Sequence, residues 1–70
     1  MIKFDMQIVQ NYAAFFDTEN GTCVFVDSFD NQEFDVRIGS LKHSKCVGTV
    51  HATNDDELNA RLSRLTAEHL

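Results

Sequence analysis

Cys23, His43, Cys46 and His51 form the most tempting constellation in this 70-residue chain for holding a metal or building a nucleophile. A structural zinc takes thiolates and imidazoles at short spacings, and His43 with Cys46 has such a spacing. Cys23 stands far upstream, and no Cys-x-x-Cys pair completes a zinc knuckle. The simpler reading makes both cysteines small, buried, apolar side chains and leaves His43 in a polar loop. Nucleophilic catalysis would need one thiol beside His43 or His51, with a third group to orient the imidazole, and no local signature supplies it. The carboxylates fall mainly at turns, outward strand positions and a helix start, which is poor ground for acid-base work. Gly21, Gly39 and Gly48 are isolated, so no glycine-rich loop cradles a phosphate. The pattern predicts a protein that is not an enzyme and carries no cofactor, with a small zinc-binding domain as the alternative.

Charge is the more informative signal. Eleven Asp and Glu against six Lys and Arg give a formal charge of -5 and a pI near 4.8. An acidic surface repels the phosphate backbone, so direct nucleic-acid binding is disfavoured and a charged partner would be basic. Mild acidity that merely keeps a small protein soluble is the competing account. Asp17, Glu19, Asp27, Asp30, Glu33 and Asp35 crowd the middle of the chain, and a twisted sheet would bring many of them to one edge. With Tyr12 and Phe29 beside them they make the candidate partner-binding set. Such a rim suits a basic surface that otherwise reads nucleic acid, its carboxylates standing where phosphates would stand. The other reading is a solvated face whose edge carboxylates deter unwanted sheet pairing.

These side chains need a scaffold, and its centre is Phe15-Phe16-Asp17-Thr18-Glu19-Asn20-Gly21-Thr22-Cys23-Val24-Phe25-Val26. Asn and Gly tolerate the positive φ of tight turns, so Asn-Gly between apolar runs predicts a β-hairpin. A two-residue turn would pair Glu19 with Thr22, Asp17 with Val24, Phe16 with Phe25 and Phe15 with Val26. Side chains alternate along a strand, so Phe15, Val24 and Val26 share one face while Phe16, Cys23 and Phe25 share the other. A longer loop would change the pairs and still leave both faces greasy.

On either side the pattern is also β. Ile2, Phe4, Met6 and Ile8 alternate with polar residues and predict a strand over 2–9. A helix over 6–16, capped by Asp5 and presenting Ile8, Tyr12 and Phe15 or Phe16, competes with it. Turn formers at 27–32 reverse the chain, and 33–38 reads as a strand with Phe34, Val36 and Ile38 inward. A further strand over 45–52 places Cys46, Gly48, Val50 and Ala52 on one side and Val47, Thr49 and His51 on the other; Gly48 suggests a bulge or a close backbone approach. Thr53-Asn54-Asp55-Asp56-Glu57 is a helix entry, with Asn54 and Glu57 at capping-box spacing, and Leu58, Leu62 and Leu65 recur behind it over a helix at 55–69.

The sum is one α+β domain over 1–70: an antiparallel sheet of about four strands with one C-terminal helix packed on one face. One helix covers one face, whereas the hairpin offers apolar residues to two. A protein partner, a second copy in a homodimer, or strong sheet curvature is therefore expected to cover the second. The start Met1-Ile2-Lys3-Phe4-Asp5 lacks the basic and apolar regions of a signal peptide, and no run approaches a membrane span. A cytoplasmic chain with reduced thiols, binding neither membrane nor nucleic acid directly, is the expectation.

The Glu19-Asn20-Gly21 hairpin, the strand at 33–38 and the Thr53-Asn54-Asp55-Asp56-Glu57-Leu58 helix entry give a layout that resembles small phage-encoded host-inhibitory proteins of the anti-CRISPR type. The resemblance is one of fold, covers most of the chain and carries over no functional residue. It implies a non-enzymatic inhibitor or modulator that binds and sterically blocks a subunit of a host defence complex.

Overall fold

The computed structural model describes residues 2–19, 21–40 and 42–69. Four antiparallel strands, β1 (Tyr12–Asp17), β2 (Thr22–Asp27), β3 (Glu33–Gly39) and β4 (Ser44–His51), are followed by one helix, α1 (Asp55–Ala67). The strands lie in the order β1-β2-β3-β4, a meander, so the α+β architecture expected from the periodicities is the one observed.

The hairpin forms in a different register. Asp17 pairs with Thr22, Phe16 with Cys23 and Phe15 with Val24, which leaves four residues, not two, between the strands. Asp17 is buried, and its Oδ1 accepts a hydrogen bond from the backbone N–H of Glu19 at 3.0 Å. That side-chain turn opens the loop, and Gly21 closes it in a left-handed conformation at φ 65°. Asn20 lies outside the described residues. Because the register moves by two, every side chain keeps its expected face: Phe15, Val24 and Val26 inward, Phe16, Cys23 and Phe25 outward.

β4 departs from expectation more sharply. Gly48 pairs with Val36 but Cys46 pairs with Arg37, so Val47 is an extra residue, a bulge. The bulge sends Val47 toward the core and turns Cys46 out to the other face, where it is exposed; the buried site expected for this thiol does not exist. Gly48 answers to the expected bulge, while the close approach is made by a side chain rather than a backbone. It adjoins the bulge, and a Cβ there would lie 3.3 Å from the methyls of Leu65 on α1.

Neither the strand over 2–9 nor the competing helix over 6–16 forms: residues 2–7 are irregular, and 8–9 make a turn. The alternation nevertheless reports burial. Met6 is fully buried, and Ile2, Phe4 and Ile8 pack against the core. Among the described residues this segment has no neighbouring strand to satisfy its backbone. Asn59 on α1 does so instead, accepting from Met6 N at 2.8 Å and donating to Met6 O at 3.0 Å, while Asp55 Oδ1 accepts from Ile8 N at 2.7 Å.

The helix starts as the capping residues specify. Asn54 Oδ1 accepts from Glu57 N at 2.8 Å, and Glu57 Oε1 accepts from Thr53 N at 3.0 Å, one residue ahead of the reciprocal bond expected of a capping box. It ends at Ala67, short of the expected 69. Leu58, Leu62 and Thr66 are its buried side chains, with Leu65 half-buried. Helix and N-terminal segment share the inner face. Leu65 sits over Gly48 on β4, and the Phe4 ring meets that of Phe15 on β1 edge-on, centroids 4.8 Å apart. Between them Val24, Val26, Phe34, Val36, Leu58 and Leu62 are wholly buried.

Candidate functional site

Both covering elements lie on one side of the sheet, so the other side is open. Pairing and alternation fix its rows. The first runs Tyr12, Asp27, Asp35, Thr49; the second Ala14, Phe25, Arg37, Cys46; the third Phe16, Cys23, Gly39, Ser44. Tyr12 is 54% exposed and Phe16 61%.

The first row sets two carboxylates on directly opposed positions, Asp27 and Asp35, where like charges repel. Each has its own relief. Arg37 reaches diagonally from the second row to Asp27, Nη2 to Oδ2 3.1 Å, while its guanidinium carbon stays 5.8 Å from the centre of the Phe25 ring. Thr49 Oγ1 donates to Asp35 Oδ1 at 2.8 Å. The face is thus a polar and aromatic surface with fixed side chains, not a stripped core.

Beyond the first row lies the loop 28–32. Ser28 Oγ accepts from Asn31 N at 2.9 Å and donates to Glu33 O at 2.7 Å. Asp30 Oδ1 accepts from Gln32 N and Glu33 N, both at 2.9 Å. Those bonds, Glu33's first, hold the Asp30 carboxyl below its ordinary value, since they favour the charged form. Asn31 takes a left-handed backbone, φ 59°, and its Nδ2 donates to Ile8 O at 3.0 Å and Asn11 Oδ1 at 3.1 Å. Phe29 projects from this braced loop 99% exposed, and Val9 is 73% exposed. An open cleft is lined by Ile8, Val9, Asp30, Asn31, Gln32 and Thr53.

Of the candidate residues, the fold therefore brings Tyr12, Asp27, Asp35, Glu33, Asp30 and Phe29 to one end of the sheet. Asp17 and Glu19 lie at the opposite end, in and beside the β1–β2 loop, where Asp17 braces the turn. The meander also adds members that the linear pattern did not single out. β4 ends and α1 begins at the Asp30 end, so Asp55, Asp56 and Glu57 join it. Strand parity was the available signal, because an even number of antiparallel strands returns the chain to where it entered the sheet. Stretches 27–35 and 51–57 hold seven of the eleven carboxylates and no Lys or Arg; the remaining four against six cations leave the rest of the chain at +2. The negative charge belongs to one end.

The possible zinc quartet is dispersed. Cys23 and Cys46 stand two strands apart, roughly 10 Å at ordinary strand spacing, and His43 and His51 bracket β4 at its two ends. Among the described residues no three His, Cys, Asp or Glu side chains converge as metal ligands, and no helix is long and apolar enough to cross a membrane. No family model, curated protein or solved structure matches the chain.

Proposed function

We propose that this chain is a protein-binding module that acts by occupying a partner's surface, docking through its open sheet face. The observation that carries this reading is the placement of both covers, α1 and the N-terminal segment, on the inner face. Tyr12, Phe16 and Phe25 are left on the outer one beside paired carboxylates. Aromatic anchors within a polar surround are the composition of protein interfaces. The acidic end selects a basic partner surface and steers its approach. A nucleic-acid-reading surface fits that description, which agrees with the blocking role implied by the resemblance to phage host-inhibitory proteins.

The test is affinity purification from the native host with three variants beside the wild type. Asp35→Arg with Thr49→Arg alters the open face, Asp30→Lys with Glu33→Lys inverts charge at the acidic end, and Ser63→Arg changes the exposed surface of α1. A stoichiometric partner is expected with wild type and Ser63→Arg, to be lost with the face variant, and to weaken with the charge variant. Retention by the face variant together with loss from Ser63→Arg overturns the reading.

A further inference from the structure

β1 is an edge strand, and its outward backbone groups can be assigned. Asn11 O accepts from Ser28 N at 2.8 Å, extending the β1–β2 ladder one residue beyond Tyr12 and Asp27. Hydrogen-bonded and non-bonded pairs alternate along an antiparallel ladder. Ala13 and Phe15 therefore bond to β2, and Tyr12, Ala14 and Phe16 direct N–H and C=O to the open edge. Among the described residues, no backbone bond from outside the strands reaches them.

The two edges of the sheet differ. β4 carries a bulge at Val47, a charge at Lys45 and a glycine, devices that spoil an edge as a template. From Tyr12 to Phe16, β1 has no charge, no proline, no glycine and an unbroken register.

That edge is also complementary to itself. Turned about a two-fold axis at Ala14, it sets Tyr12 against Phe16 of the second copy, Ala13 against Phe15, and Ala14 against Ala14. On the outer face this makes two aromatic cross-strand pairs; on the inner face it sets each large ring against a methyl. The pairs brought together, at 12, 14 and 16, are those whose backbone groups face outward. The antiparallel arrangement also leaves the two acidic ends at far corners of the assembly, where their repulsion is least.

We propose that two copies of this chain pair edge to edge through β1, antiparallel about Ala14, into one eight-stranded sheet. The open face stays free and doubles, with a Tyr12–Phe16 pair on either side of the central alanines and one acidic row running outward from each pair. Small domains gain most from such association. The proposal stands apart from the docking reading, since it concerns the backbone edge and is read on purified protein.

Sedimentation of the full chain should show a mass that rises with concentration toward twice the 8.0 kDa protomer. Ala14→Lys places like charges on the axis, and Ala14→Pro removes an N–H that points away from β2. Each should keep the wild-type circular dichroism and weaken association at least ~10-fold. Ala14→Cys in a Cys46→Ser background should crosslink to itself with a short bis-maleimide, which tests the register even if the other variants unfold. A wild-type monomer at every concentration overturns edge pairing and leaves the docking reading intact. So does a dimer indifferent to Ala14→Lys, or absence of the crosslink.

Discussion

The side-chain amide of Asn59 brackets the backbone of Met6, accepting from its N–H at 2.8 Å and donating to its carbonyl at 3.0 Å. A helix residue thereby does for the N-terminal segment what a neighbouring strand does elsewhere, and it holds Met6 in the core. Each of these partly buried backbone groups loses its partner if the amide is removed, at about 1–3 kcal/mol per group. Asn59→Leu should cost roughly 2–3 kcal/mol of the roughly 4–10 kcal/mol that a domain of this size commands. Denaturant unfolding gives the total, and faster amide exchange at Met6 with little change in β3 would locate the loss.

Two phenylalanines should behave as opposites. Phe34 is wholly buried opposite Val50, so Phe34→Ala should cost ~3–5 kcal/mol and leave the chain largely unfolded at physiological temperature. Phe29 touches almost nothing, and Phe29→Ser should stay within about 0.5 kcal/mol of wild type. Thermal unfolding of the two variants side by side checks both. A large loss from Phe29→Ser would mean that the loop 28–32 depends on a contact absent from this fold.

Gly39 and Gly48 make a second contrast. A Cβ on Gly39 would fall 2.1 Å from the carbonyl oxygen of His43 and 2.7 Å from Ser44 Cα, both backbone, so the β3–β4 loop would have to be rebuilt. At Gly48 the neighbour is the end of the Leu65 side chain at 3.3 Å, which can turn aside. Both glycines also hold a positive φ that a side chain strains, 157° and 158°, so Gly48→Ala should cost about 1–3 kcal/mol from the backbone alone, and Gly39→Ala more, because overpacking against backbone atoms adds to the same strain. Equilibrium unfolding ranks them, and amide shifts around residues 40–44 should move only in the first.

Asp30 gives the pH prediction. Its folded-state pKa is held below the ordinary 3.8, first by the backbone N–H of Glu33 and then by that of Gln32. The unfolded chain takes up this proton before the folded one does. The stabilisation is therefore complete above 3.8 and is lost as the pH falls through the lower folded value. Asp30→Asn should flatten this part of the acid-unfolding profile. Carboxyl-carbon NMR on the native protein should show Asp30 titrating below a free aspartate, and a titration at or above the free value would contradict the loop geometry.

By itself the sequence determined the elements whose signals are local. Period-two alternation marked β3, the Asn54 cap with its three carboxylates marked the start of α1, and the apolar runs around Gly21 marked a hairpin with two greasy faces. Local sterics and hydrogen bonding act within a few residues, so they can be read along the chain. Tertiary structure decided what depends on partners distant in sequence. Residues 2–9 have the alternation of a strand, but their backbone found the side chains of Asn59 and Asp55 and stayed irregular. One extra residue at Val47 reversed the outlook of Cys46, because a strand's faces depend on counting from a paired neighbour. The gathering of Asp30, Glu33 and Asp55 at one end, with Asp17 and Glu19 at the other, followed from how antiparallel strands fold back. Pairing, not the order of residues along the chain, chooses neighbours in a sheet.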